Sequence, residues 1–429
     1  MKHAMRRKTL GARALSAETL MLHYGYDPFL SEGSVKPPVF LTSTFAFRSA
    51  EDGRDFFDYA TGRRTPPGGA DAGLVYSRFN HPNLQIVEER LAMLEGGESA
   101  AVFASGMAAI SAVVLGHARP GSVILHSQPL YGGTDTLLCG TLAPFGIKAV
   151  GFDDGLDPVS IKSAVAACAG KHVPMIYVES PANPTCGLVD YALIGAAADE
   201  IAARQGSRPL IVVDNTLLGP VYQQPLKHGA DLAVYSLTKY VGGHSDLVAG
   251  GVIGGKTALA PIRKIRGALG MQLDPHSCWM IGRSMETLHL RMRRAADSAR
   301  QVADWLARHV QVERVFHPEH IATPAYQQAY RKYCAGAGST FAFVVKGGQP
   351  AAFRLLNELA LFTLAVSLGG SESLVCHPAS TTHSGVDLAT RARVGVSDGL
   401  IRLSIGMEDP TDLIADLENA LACLSPVEA

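Results

Sequence analysis

Two periodicities of apolar residues organise this chain. Leu84, Val87, Leu91 and Leu94 recur at helical spacing, which predicts an amphipathic helix just after residue 83. Apolar runs of strand length follow at residues 122–126, Met175–Glu179, Leu210–Asp214 and Leu232–Ser236, with helical segments between them. Runs that are apolar throughout suit strands covered on both faces. Separated by helices, they predict a mostly parallel α/β sheet. A long helical pattern over residues 279–309 leads into a region that mixes strand, as at Thr340–Val345, with terminal helix, as at residues 409–424. That region reads as a smaller α+β domain. The first 75 or so residues are rich in Gly, Pro and charge, and residues 63–73 have the composition of a long exposed loop. The expected division is an arm over residues 1–80, a large α/β domain over 81–289 and a C-terminal α+β domain over 290–429.

Charge narrows the choice of partners. The 38 Lys and Arg nearly balance the 39 Asp and Glu, so no global attraction to nucleic acid or anionic membrane is expected. Apolar strings such as residues 108–115 are too short to span a bilayer. The basic N-terminus, free of acids until Glu18, lacks the apolar run of a secretory signal and reads as a solvated head. Seven scattered cysteines, never spaced Cys-x-x-Cys, read as reduced thiols of a cytoplasmic protein. His377 and His383 stand six apart with no Cys or carboxylate completing a set, so no metal site is expected. Small molecules and further copies of the chain are the expected partners.

Candidate chemistry centres on Lys239. It follows the hydroxyl residues Ser236 and Thr238 and lies 25 positions after Asp214, which closes an apolar run. A lysine amine can form an imine with the aldehyde of pyridoxal phosphate (PLP), and a carboxylate at a buried strand end can keep the pyridinium nitrogen protonated. Ser236 and Thr238 would then reach the phosphate. The Ser105-Gly106-Met107 turn opens a helix whose free N–H groups suit the same phosphate. Tyr131 follows the strand near Ile124, at the edge where α/β ligand sites form, and its ring can stack on a pyridine. Asn183, between two prolines, can bond the cofactor's phenolic oxygen.

These segments occur in order with others: Tyr-Ser-Arg at 76–78, Tyr-Gly-Gly at 131–133, Glu-Ser-Pro-Ala-Asn-Pro at 179–184, Ser-Leu-Thr-Lys-Tyr at 236–240, Gly-His-Ser-Asp at 243–246, Ser-Leu-Gly-Gly at 367–370 and Arg-Leu-Ser-Ile-Gly at 402–406. Together they resemble the Cys/Met-metabolism PLP family of cystathionine γ-synthases, cystathionine lyases, methionine γ-lyases and homoserine sulfhydrylases. The resemblance covers almost the whole chain after residue 20. It implies the aspartate-aminotransferase-like fold, known as fold type I. It implies Lys239 as the imine lysine and Asp214 as the pyridinium partner, with Gly106, Met107, Ser236 and Thr238 at the phosphate. It also implies that Tyr76 and Arg78 reach the phosphate of a neighbouring subunit, hence a dimer at least and usually a homotetramer. Arg402 resembles the arginine that clamps the substrate carboxylate, with Ser367 and Asn183 assisting.

Within the family, three details favour γ-elimination of the methionine γ-lyase type. Val366 stands where cystathionine enzymes carry a Glu able to bind a distal amine. The arm segment at 23–28 and the long stretch between Phe45 and Tyr76 also resemble methionine γ-lyases. Against this, Gly133 replaces the reactive Cys usual in methionine γ-lyases, and the 63–73 insertion exceeds either pattern. Cystathionine γ-synthase or γ-lyase activity ranks second and O-acylhomoserine sulfhydrylase third. A catalytically silent PLP-binding homologue ranks last, because Lys239, Asp214, Tyr131 and Arg402 are all present.

Overall fold

A computed structural model describes residues 7–60, 63–65, 67 and 73–424. The loop expected at 63–73 therefore lies largely outside the described residues, as does the first part of the basic head. From Thr9 the head forms a short exposed hairpin, pairing Thr9–Leu10 with Arg13–Ala14.

The central sheet has seven strands: β1 (Ser99–Phe103), β2 (Val123–Ser127), β3 (Lys148–Phe152), β4 (Met175–Glu179), β5 (Leu210–Asp214), β6 (Leu232–Ser236) and β7 (Gly250–Gly254), in the spatial order 1-7-6-5-4-2-3. All run parallel except β7, which is antiparallel to both its neighbours. Alternate residues of each strand serve opposite faces. Phe103, Ile124, Tyr177, Val212 and Val234 pack with helices Gly106–His117 and Lys256–Leu269. Leu125, Ile176, Val178, Ile211 and Val213 pack with helices Pro158–Ala167 and Tyr191–Gln205 on the other face. Burial on both faces is why the inner strands β4, β5 and β6 carry continuous apolar runs up to their polar last residues and do not alternate.

A second sheet joins β8 (Val312–Phe316), β9 (Thr340–Val345), β10 (Thr363–Leu364), β11 (Leu374–Cys376) and β12 (Leu400–Ser404) in the order 8-9-12-11-10, antiparallel except for the β10–β11 pair. Helices Leu288–Leu306, Gly348–Glu358 and Pro410–Ala422 share its core. The helical pattern expected over 279–309 is in fact two helices, Pro275–Met285 and Leu288–Leu306. The break is held by polar contacts that apolar spacing does not report. Arg291 donates to the Ser284 carbonyl at 2.8 Å and to the Thr287 hydroxyl at 3.2 Å. Glu286 accepts from Lys36 of the arm at 2.6 Å.

Because β2, β4, β5 and β6 run parallel, their last residues Ser127, Glu179, Asp214 and Ser236 lie along one edge. Arg402, in the middle of β12, comes from the second sheet to the same edge.

Candidate active site

A cavity of about 600 Å³ opens at the carboxyl ends of the central strands. Every site residue expected from the sequence lines it except Tyr76 and Arg78. Its apolar wall includes Ile110, Leu217, Val248 and Leu368.

Lys239 stands in the turn that leaves β6. Its Nζ donates to Ser367 Oγ at 2.9 Å, and Ser367 is held in the left-handed region with φ 89°. Burial, with the cation of Arg402 nearby, lowers the Lys239 ammonium to about 8. Close to neutrality this amine is therefore far more available as a nucleophile or base than a surface lysine.

Asp214 and Glu179 are register partners on adjacent strands and both are buried. Asp214 Oδ1 accepts from the Thr216 amide at 3.0 Å and hydroxyl at 2.6 Å, and Oδ2 accepts from the Tyr177 phenol at 3.1 Å. Burial pushes both carboxyls upward, with the Asp214 charge adding to the effect on Glu179. Among the described residues neither has an ion-pair partner in the chain. Two carboxyls buried side by side without a cation suit a cationic ligand from outside, a part that a pyridinium would fill.

The opposite corner suits a phosphate. Ser105 caps helix Gly106–His117, its Oγ accepting from the Ala108 amide at 3.0 Å. Two glycines permit the close approach that brings this turn to β6. A Cβ on Gly106 would lie 2.9 Å from the Ser236 Cβ, and one on Gly250 would lie 2.2 Å from the Ser105 carbonyl oxygen. The free N–H groups at the helix start and the Ser236 hydroxyl thus converge. Thr238 is differently employed: its hydroxyl accepts from the Ala249 amide at 3.0 Å and donates to the Ala249 carbonyl at 3.2 Å, tying the Lys239 turn to the chain before β7.

Arg402 is 3% exposed, donating through Nη1 to Asn183 Oδ1 at 3.1 Å and through Nη2 to the Ser367 carbonyl at 2.6 Å. Its buried Nε has no partner among the described residues, as expected of a guanidinium kept for an anionic ligand. With its oxygen taken by Arg402, the Asn183 amide offers its NH2 to a ligand. Tyr131 is 43% exposed and Val366 57% exposed, both lining the cavity.

Tyr76 and Arg78 lie outside the cavity of their own chain. Arg78 donates to the Gly267 carbonyl and stacks 4.3 Å from the centroid of Phe79, and Tyr76 is 41% exposed. Sequence reasoning did not single out three members of the site, Glu179, Thr216 and Tyr177. Glu179 lies inside a quoted motif and Thr216 lies two residues beyond Asp214; a polar residue ending or following an apolar strand was the available signal. Tyr177 reads as an ordinary core aromatic, and only the parallel register of β4 and β5 brings its hydroxyl to Asp214. Of the two histidines considered for metal, His377 bonds Ser380 and the Asp398 carbonyl, each at 2.8 Å, and His383 bonds Thr382 at 2.9 Å.

The profile of the family described as Cys/Met metabolism PLP-dependent enzyme matches residues 18–422. An L-methionine gamma-lyase of Pseudomonas deceptionensis is 40% identical over 95% of this chain and 97% of its own length. An O-succinylhomoserine sulfhydrylase of Pseudomonas aeruginosa is 35% identical over 92% of each chain. Among solved structures, a cystathionine gamma synthase from Xanthomonas oryzae pv. oryzae superimposes with a TM-score of 0.84 at 33% identity, covering 95% of this chain and 98% of that one.

Proposed function

Since this chain belongs to the Cys/Met metabolism PLP-dependent enzyme family, we propose that it catalyses γ-elimination on a sulfur amino acid, converting methionine and water to methanethiol, 2-oxobutanoate and ammonia. Bound PLP supplies an electron-poor ring that takes up the electron pair left at the substrate Cα. The chain's own residues supply the rest. Lys239 would hold the cofactor covalently and, as a free amine, move the Cα proton and then a Cβ proton. Ser367 steadies its Nζ. Asp214, buried at the end of β5, would hold the proton on the ring nitrogen. Arg402 grips the substrate carboxylate, and Tyr131 delivers a proton to the departing sulfur.

The observation that carries the choice of substrate is the side-chain inventory around Val366. The carboxylates lining the cavity are Glu179 and Asp214, both buried and bonded to donors of the chain. Neither is left for a distal ammonium, whereas Val366 offers an apolar surface to a methylthio group. A second reading, cystathionine γ-synthase or γ-lyase chemistry, is favoured by Gly133. Met107, Gly133 and Thr382 also line a second cavity of about 430 Å³ that contains Asp135, so the space beside the site continues towards a carboxylate. Assaying methionine, cystathionine, and an acylated homoserine with cysteine in parallel tests the choice. Methanethiol release from methionine as the fastest reaction is the expected result, and faster turnover of cystathionine reverses the ranking.

The same reading makes the working unit a cytoplasmic homotetramer of two catalytic dimers, with Tyr76 and Arg78 serving the partner's phosphate corner. Their positions outside their own cavity support it. No helix among the described residues is long and apolar enough to cross a membrane.

A further inference from the structure

Glu179 ends β4 with both carboxylate oxygens committed to backbone. Oε2 accepts the Tyr131 amide at 2.6 Å and Oε1 accepts the Asn183 amide at 2.8 Å. Those amides belong to different loops, one following β2 and the other following β4. The side chain is 3% exposed and its backbone pairs in register with Asp214 on β5. Glu179 therefore links the three places at which a planar ring would be held: its carboxylate ties the loops of Tyr131 and Asn183, and its backbone pairs with that of Asp214.

The two backbone amides favour the ionised carboxylate, against the upward push of burial and of Asp214. Two N–H donors converging on one terminal group need two acceptors. A glutamine of the same shape offers one acceptor and one NH2, so one buried backbone donor would face another donor. An aspartate keeps both acceptors on a shorter arm. Burying a carboxylate beside Asp214 is costly, and a mere loop staple of neutral groups would avoid that cost.

We propose that Glu179 is a positioning residue of the active site, setting the Tyr131 ring and the Asn183 amide relative to Asp214 and so fixing the orientation of the cofactor ring. The proposal rests on the ring-holding roles given above to Tyr131 and Asn183.

The test compares Glu179→Gln and Glu179→Asp with Tyr131→Ala and Asn183→Ala. Each is measured by PLP titration of the apoprotein, by visible circular dichroism of the bound cofactor, which reports its orientation, and by thermal unfolding of the apoprotein. Glu179→Gln should unfold near the wild-type temperature, yet bind PLP about tenfold more weakly, the loss expected for one charged hydrogen bond, with a reduced dichroic band. Glu179→Asp should recover part of both. A Glu179→Gln protein with wild-type affinity and dichroism overturns the proposal, as does one whose only defect is a lower unfolding temperature. If Glu179→Gln fails to fold, Glu179→Asp decides by the same readings, an unchanged band and affinity again overturning the proposal. If Tyr131→Ala and Asn183→Ala both leave the cofactor unaffected, the roles of those residues are wrong and the proposal falls with them. If they alter it while Glu179→Gln does not, the positioning role alone is refuted.

Discussion

The strand-end part of the site and the arm that carries Tyr76 and Arg78 are built in opposite ways. At the strand ends the ionisable groups are buried or half-buried and hydrogen-bonded within one chain: Asp214 accepts three hydrogen bonds, Glu179 two, and Lys239 is held by Ser367. On the arm, Tyr76 is half-exposed and the Arg78 guanidinium rests on Phe79 and a carbonyl, away from the cavity. Groups that must hold a shifted proton affinity need a fixed, dry setting, which one folded chain can provide. In the assembly proposed above, groups that only bond or neutralise a phosphate would tolerate exposure before assembly and could be contributed by another copy.

The strongest way to break this contrast acts on the buried side. Asp214→Asn keeps the shape but removes the charge that retains the ring proton. It should slow loss of the substrate α-proton by roughly a thousandfold or more, about 4 kcal/mol of barrier. Exchange of α-deuterium at a near-normal rate in that variant would show that another group performs the task. The arm side is broken by mixing. Lys239→Ala and Arg78→Ala proteins should each be inactive, and together, once subunits have exchanged, they should regain activity through sites that combine Lys239 of one chain with Arg78 of the other. No recovery despite demonstrated exchange means that each site is made from a single chain. The smallest effect concerns substrate choice at the rim. Val366→Glu should shift relative kcat/KM towards cystathionine by roughly 5- to 150-fold, the range for about 1 to 3 kcal/mol from a new, partly buried charge pair. A wild-type enzyme that already prefers cystathionine would place the binding carboxylate elsewhere, with Asp135 of the adjoining cavity the first to examine.

The same contrast explains what the sequence made legible. Strands β4, β5 and β6 were readable to the residue because both faces are buried, leaving unbroken apolar runs that end at Glu179, Asp214 and Ser236. Strand β7 was not, since its glycines at 250, 251 and 254 give no strand signal, those at 250 and 254 being kept for close approach to the Ser105 and Asp231 carbonyls. Lys239 and Asp214 stood out through residue type and spacing. The tie made by Glu179 did not, because its partners are backbone amides 48 residues before it and 4 after it, which side-chain patterns do not record. The division of helix at Glu286 escaped for a related reason: apolar spacing continues through the break, and the polar bonds of Arg291 that hold it are long-range or backbone contacts.

The central claim is that Lys239 is the cofactor lysine and that its setting makes it reactive near neutrality. It is tested most directly by adding PLP to the apoprotein over pH 6 to 10, trapping the attached cofactor with borohydride and mapping the labelled peptide. The amine must be neutral to attack the aldehyde. With Lys239 lowered to about 8 by burial and by Arg402, attachment should rise with pH and level off just above 8, with the label on Lys239. Label on another lysine, or a rate still climbing tenfold per pH unit towards 10 as for an unshifted lysine, would contradict the account.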